Sequence, residues 1–189
     1  MNICVFGAAS NAIEGSYLKT VEEFGAELAK KGHGLVFGGG ATGLMGAVAR
    51  GVAGAGGFLL GVAPHFFNTE GVLYQNCTEF IYTDTMRERK QTMEDRSDAV
   101  VMVPGGIGTF EEFFEVLTLK QLGRHQKPIV IYNYKGYYTP MLQMMETAIR
   151  DRFMAEDTDT LYSVAETEEE VFAQLADYKA FDYNKYGRK

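Results

Sequence analysis

Short apolar runs alternate with segments of helical period along most of the chain. Residues 3–6 form a compact apolar run, and in the next segment apolar side chains recur at spacings of four, three and four from Tyr17 to Leu28. The first pattern is typical of a buried strand, and the second is typical of an amphipathic helix that covers one face of a sheet. The chain therefore begins with a predicted strand followed by a predicted helix.

The same alternation continues to the C-terminal region. Further strands are predicted at 34–37, 58–62, 80–82, 99–103, 128–132 and 161–164, and helices at 43–55, 84–96, 109–122 and 140–150. A last helix follows Thr167, which forms a capping-box pattern with Glu170. Continuous Val and Ile runs separated by helices are typical of a parallel sheet covered on both faces. We predict an α/β fold with three layers: a Rossmann-like, doubly wound, mainly parallel sheet.

Length and composition limit the organisation and the partners. A chain of 189 residues with 46% hydrophobic residues predicts a single domain at 1–178 and a polar C-terminal tail at 179–189. The net charge of −7 disfavours nucleic acid and anionic membranes as partners. The N-terminus shows no signal peptide, no apolar run is long enough to span a bilayer, and the two cysteines lack metal-ligand spacing. We expect a cytoplasmic protein that binds a small ligand and no metal.

Three glycine-rich turns follow predicted strands, at 7–10, 38–43 and 104–109. Open α/β sheets bind ligands at the carboxyl ends of their strands, so these turns are candidate binding loops. The second turn satisfies G-x-G-x-x-G, but the next strand ends without the acidic residue that a dinucleotide site requires. Its glycines alternatively serve only tight turns and close packing.

The third turn is the most specific of the three. Gly105, Gly106 and Gly108 allow close approach of a ligand to the backbone, and the turn opens directly into a predicted helix. The free N–H groups and positive dipole at a helix N-terminus bind phosphate well. Thr109 is predicted to cap the helix and to donate its hydroxyl to the same anion.

Two charged residues are candidates for chemistry beside this loop. Glu112 lies three residues after Thr109 on the same predicted helix face, where its carboxylate would meet a part of the ligand remote from the phosphate, such as a ribose. Alternatively, Glu111 and Glu112 only stabilise the first helical turn. Arg89 lies on a predicted apolar stripe, so its guanidinium requires an acid or a ligand as partner. The alternative of a solvated charged helix suits Arg87 and Lys90 better.

Three segments together resemble the LONELY GUY (LOG) family of cytokinin riboside 5′-monophosphate phosphoribohydrolases. They are GGGATGLMGAVA at 38–49, MRERK at 86–90 and PGGIGTFEE at 104–112. The resemblance continues through 113–133 and the GYY at 136–138, so that it covers most of residues 2–150. The chain departs from the family pattern at Arg87, where histidine is common, and this departure concerns substrate preference more than activity.

The resemblance implies a homodimer that hydrolyses the N-glycosidic bond of a nucleoside 5′-monophosphate without a cofactor. It implies that Arg89 and Glu112 are the catalytic pair. The substrate contacts that it implies are Lys90, Gly105, Gly106, Ile107, Gly108, Thr109, Glu111, Thr118 and Glu70. Two alternatives stay open: a nucleotide-binding module without hydrolysis, and a transferase that passes the ribosyl group to another base.

Overall fold

The computed structural model describes residues 1–181 and 183, which form seven strands and six α-helices in alternation. The strands are β1 (Asn2–Phe6), β2 (Gly34–Phe37), β3 (Leu59–Pro64), β4 (Glu79–Thr83), β5 (Ala99–Met102), β6 (Ile129–Tyr132) and β7 (Ser163–Ala165). The helices are α1 (Gly15–Lys30), α2 (Gly43–Gly54), α3 (Met86–Asp95), α4 (Ile107–Gln121), α5 (Thr139–Arg150) and α6 (Glu168–Asp177). Every predicted element is present, with boundaries displaced by one or two residues.

All seven strands belong to one sheet, in the order β4-β3-β2-β1-β5-β6-β7. Each neighbouring pair is parallel. The chain builds outward from β1 to β4 on one side and then returns to place β5 against the other side of β1. This order confirms the predicted doubly wound α/β fold, and its topological switch point lies between β1 and β5, where such folds bind ligands.

Two hydrophobic clusters cover the two faces of the sheet. Side chains of β1 alternate between them, because successive side chains of a strand point to opposite faces: Ile3 and Val5 enter one cluster, and Cys4 and Phe6 enter the other. Helices α1, α2 and α6 pack on the first face, and α3, α4 and α5 pack on the second. None of the helices in the described part of the chain is long and apolar enough to cross a membrane.

The start of α4 differs from the sequence prediction. The helix begins at Ile107 instead of Thr109, and Gly106 is its N-cap, with extended backbone angles and a carbonyl that accepts from the N–H of Phe110 at 3.0 Å. The prediction that Thr109 caps the helix was therefore wrong. A glycine N-cap lets the helix start earlier, and Thr109 is instead a buried residue of the first turn, packed against Gly105.

Part of the predicted C-terminal tail packs on the domain. The ring of Phe181 lies 5.7 Å from Lys120 Nζ, and the buried Tyr183 donates its hydroxyl to Asp157 at 2.7 Å. Of the predicted tail at 179–189, residues 182 and 184–189 lie outside the described residues.

Candidate active site

A cavity of about 480 Å³ lies at the carboxyl ends of β1, β2 and β5. The three predicted glycine-rich turns all contribute to it: residues 7–10 after β1, Gly38, Gly40 and Thr42 after β2, and Gly106, Gly108 and Thr109 after β5. It thus opens at the topological switch point, the position where open α/β sheets bind their ligands. Its volume is within the range of small-molecule sites.

The start of α4 forms one end of the cavity. Gly106 and Gly108 are exposed and line it, and Ile107 between them is 87% exposed. The first N–H groups of a helix have no intrahelical acceptor, and the helix dipole favours negative charge there. This end of the cavity therefore has the polarity that a phosphate requires, and phosphate binding there stays a prediction.

A buried ion pair lies beside the start of α4. Arg89 Nη1 of α3 donates to Glu112 Oε1 of α4 at 2.7 Å, and the two side chains are only 10% and 11% exposed. Arg89 Nε also donates to the carbonyl of Val62 at 3.2 Å. A side chain at Gly38 would occupy the position of the guanidinium, so that the glycine at the end of β2 makes room for the arginine. The predicted requirement of Arg89 for an acidic partner is confirmed.

The surroundings of Glu112 act on its protonation in opposite directions. Burial raises the pKa of Glu112, because a carboxylate loses solvation in the protein interior, and the charge and hydrogen bond of Arg89 oppose this shift. The net shift of the pKa is upward. A ligand that draws the guanidinium away would raise the pKa of Glu112 further, so the ionic form of this carboxylate depends on Arg89.

Lys90 and Glu111 meet outside the cavity. Lys90 Nζ pairs with Glu111 and with Glu115, and its side chain is 13% exposed. Burial lowers the pKa of Lys90, but the two carboxylates outweigh this effect and the net shift is upward. Neither Lys90 nor Glu111 lines the cavity.

Three further residues that were predicted to contact the substrate do not line the cavity in a single copy of the chain. Thr118 is exposed on α4, and its hydroxyl donates to the carbonyl of Phe114 at 2.6 Å. Glu70 is exposed in the loop between β3 and β4. Gly105 is buried behind Gly106 and does not border the cavity itself. The roles of these residues stay predictions.

Two tyrosines brace the glycine-rich loop, which the sequence analysis missed. Tyr137 donates its hydroxyl to the carbonyl of Gly105 at 2.9 Å, and Tyr138 donates to the carbonyl of Val103 at 2.8 Å. Burial raises the pKa of Tyr138, which keeps its hydroxyl protonated as a donor. Both residues follow β6, which lies next to β5 in the sheet, and this adjacency, which the sequence did not supply, brings them to the loop.

The first two glycine-rich turns are joined directly to each other. The hydroxyl of Thr42 donates to the carbonyl of Ala9 at 2.7 Å, and the N–H of Gly43 donates to Asn11 Oδ1 at 2.8 Å. These bonds hold the loops after β1 and β2 at one side of the cavity. Other lining residues are apolar and give it a wall suited to a flat ring: Met45, Phe67, Val72, Leu73, Met86 and Met93.

Fold and site together define a class: a Rossmann-like α/β protein whose cavity joins a helix N-terminus to a buried Arg–Glu pair. Residues 45–175 match the family model described as "Possible lysine decarboxylase". Among curated relatives, the rice (Oryza sativa subsp. japonica) cytokinin riboside 5′-monophosphate phosphoribohydrolase LOG is 37% identical, over 93% of this chain and 73% of its own length. The Arabidopsis thaliana enzyme LOG1 is 35% identical, over 93% and 83%. This chain belongs to the LOG family.

Solved structures share the same fold. A molybdenum cofactor binding protein from Rippkaea orientalis superimposes with a TM-score of 0.69 at 18% identity, over 93% of this chain and 94% of that one. The molybdenum cofactor carrier protein of Chlamydomonas reinhardtii gives a TM-score of 0.68 at 23% identity, over 93% and 95%. At these identities the likeness concerns the fold alone.

Proposed function

We propose that this chain hydrolyses the N-glycosidic bond of a nucleoside 5′-monophosphate, cytokinin riboside 5′-monophosphate or AMP, to the free base and ribose 5-phosphate. The names of its curated relatives support this activity. The observation on which it depends most is the buried Arg89–Glu112 pair at the edge of a cavity that ends in a helix N-terminus. We assign the enzyme to the domain at 1–178.

The spacing along α4 suits a ribose 5-phosphate. A helix rises about 1.5 Å per residue, so Glu112 lies about 8 Å beyond the first residue of α4. With the 5′-phosphate on the amides of Gly106 and Gly108 and on Thr109, the sugar ring reaches the carboxylate. The flat base then lies against the apolar wall of the cavity.

The reaction breaks the bond between the anomeric carbon and the base nitrogen. The bonding electrons leave with the base, and the sugar acquires the positive charge of an oxocarbenium-like state. Ionised Glu112 stabilises this charge, and Arg89 orients the nucleotide and balances negative charge on the departing base. Water supplies a hydroxyl to the anomeric carbon and a proton to the base, which completes the hydrolysis.

The description of the matching family model refers to a different reaction, lysine decarboxylation. Schiff-base chemistry with pyridoxal phosphate requires a lysine at the reacting centre. No lysine lines the cavity in the described part of the chain. Lys90 is held by two carboxylates outside the cavity. The residues at the site thus favour the hydrolase.

The proposal includes a homodimer in the cytoplasm. Exposed apolar side chains belong to the cavity lining or to chain neighbours of it: Met86 lines the cavity, and Phe66 and Ile107 are adjacent in the chain to lining residues; they are 39%, 61% and 87% exposed. A second copy over these residues would bury them. Thr118 and Glu70, exposed in one copy, would then be available to a site completed by two. Free cysteines at 4 and 77 suit a reducing compartment.

Chromatography of the protein after incubation with AMP, N6-prenylated AMP and adenosine tests the activity. We expect free base and ribose 5-phosphate from the monophosphates and much slower release from adenosine, which lacks the phosphate. Glu112→Gln leaves Arg89 without its counter-charge and should lower stability, but at a temperature where the variant stays folded it should release base at least about a hundredfold more slowly. Glu23→Gln, on the exposed side of α1, should match the wild type. Tight AMP binding without base release would identify a binding module. A new nucleotide formed from an added acceptor base would identify a transferase.

A further inference from the structure

The interface between α3 and α4 contains a second charged contact next to the Arg89–Glu112 pair. Lys90 follows Arg89 on α3, and its ammonium pairs with Glu111 and Glu115, which precede and follow Glu112 on α4. Consecutive residues of a helix point about 100° apart. Helix α3 therefore presents one cation to the cavity and the next to the outer side of α4.

Lys90 is the cation at the centre of an acidic group. Besides Glu111 and Glu115 on α4, Glu94 of α3 faces the same region, where burial and then the charge of Glu115 raise the pKa of Glu94 to about 7. Lys127 and Asp95 also act on Glu94, with Lys127 lowering its pKa and Asp95 raising it. The ammonium of Lys127 donates to the backbone carbonyl of Glu94. Without Lys90, the carboxylates on the two helices would repel each other across the interface.

We infer that Lys90 and Glu115 are positioning residues, whose ion pair holds α3 and α4 in the arrangement in which Arg89 meets Glu112. Core packing of Phe113, Val116 and Leu117 sets the general orientation of α4. Two ion-pair contacts on different sides of α4 then refine its distance from α3 and its rotation about its own axis. The inference rests on the proposed function, because it concerns the same site.

Direct contact of Lys90 with the substrate is the opposing view, and the role of Glu115 separates the two. Glu115 does not line the cavity. If Lys90 positions α4, loss of Glu115 should reproduce part of the loss of Lys90. If Lys90 instead binds the phosphate, Glu115→Gln should leave catalysis unchanged or free the lysine for its ligand.

A double-mutant cycle on the full chain tests this, with AMP as substrate and Lys90→Met, Glu115→Gln and the double variant compared. We expect each single variant to lower kcat about tenfold with KM within about threefold, and the double variant to be no worse than the poorer single one. Lys90→Arg should recover most of kcat. Lys19→Met, which breaks an exposed pair on α1, is the control for loss of a surface charge. A KM raised tenfold or more at unchanged kcat for Lys90→Met, or wild-type kcat for Glu115→Gln, would overturn the inference.

A second measurement needs no turnover. The carboxyl carbon of Glu112, labelled with ¹³C and assigned with Glu112→Gln, can be titrated by NMR in each variant. Removal of the negative charge of Glu115 acts through space to lower the pKa of Glu112. While Glu112 stays buried, loosening of the Arg89–Glu112 contact acts to raise this pKa, so the positioning role predicts an upward shift in Glu115→Gln. A downward shift contradicts positioning. If the wild type releases no base, the proposed function fails, and this titration still decides the role of Glu115.

Discussion

The helices that cover the two faces of the sheet make different kinds of contact with each other. On one face α1 and α2 approach so closely that a side chain at Gly51 would meet the carbonyl of Glu22 and lie 2.9 Å from the amide of Ala26. On the other face α3 and α4 meet through ion pairs, of which Arg89–Glu112 is the most buried. On the first face the ion pair between α1 and α2, Arg50–Glu22, lies at the surface, and the interior contact is close apolar packing. The second keeps charged groups in the interior, where the proposed chemistry needs them.

The two kinds of contact differ in their effect on the stability of the fold. Close apolar packing stabilises a fold without desolvating charge, whereas a buried ion pair loses solvation energy that its mutual attraction only partly offsets. Arg89 and Glu112 would accordingly be retained for activity at some cost in stability. Three changes test that contrast, in order of the expected effect on the free energy of unfolding.

Arg89→Met should have the largest effect. It leaves Glu112 buried without a counter-charge, and removal of one partner of a buried pair costs about 3–5 kcal/mol. Urea denaturation measures the loss, which should shrink at acid pH as Glu112 becomes protonated. The double variant Arg89→Met/Glu112→Leu should recover most of the stability and release no base. If Arg89→Met alone were as stable as the wild type, the proposed difference between the two faces of the sheet would be wrong.

Gly51→Ala should disturb the apolar face. The added methyl group meets helix backbone that cannot move aside, and such overpacking costs about 2 kcal/mol. Base release at low temperature should stay at the wild-type rate, because Gly51 lies in the second half of α2 and does not line the cavity, which only the start of this helix reaches through Met45. Gly54→Ala is the matched control in the same helix, since nothing lies within 4 Å of the added carbon there. Equal stability of the two variants would show that α1 and α2 are not in close contact.

Glu94→Gln should have the smallest effect, and it should depend on pH. The pKa of Glu94 is about 7 in the folded protein, above its ordinary value of 4.5, so stability is lost as pH rises from about 4.5 through 7. The glutamine side chain of the variant does not ionise, so it does not lose stability over this pH range. We expect a gain of about 1 kcal/mol at pH 8, allowing for the partial exposure of this group, and none near pH 4. Melting curves at the two pH values measure it, and a gain of equal size at both would argue against ionisation of Glu94.

Much of the fold followed from local patterns. The run at 99–103 predicted β5, and helical spacing from Tyr17 to Leu28 predicted α1, because each pattern repeats within one element. Arg89 on an apolar stripe predicted a buried partner, since an isolated charge is costly in the interior. The predicted N-cap at Thr109 was wrong because Gly106 is the N-cap, and no side-chain pattern in the sequence marks a glycine for that role.

The remaining features of the site depend on contacts between elements distant in the chain. The identity of Glu112 as the partner of Arg89 depends on how α3 lies against α4. The bracing of Gly105 by Tyr137 depends on β6 being adjacent to β5. The Lys90 side chain points away from the cavity because of how the same two helices are rotated about their own axes.

The sequence by itself thus determined the order of strands and helices, the glycine-rich turns and the need of Arg89 for a partner. Only the tertiary structure decided which side chains meet. The physical reason is that hydrophobic periodicity and backbone freedom are properties of neighbouring residues. The distance between two charges, by contrast, is set by the packing of whole helices on the sheet.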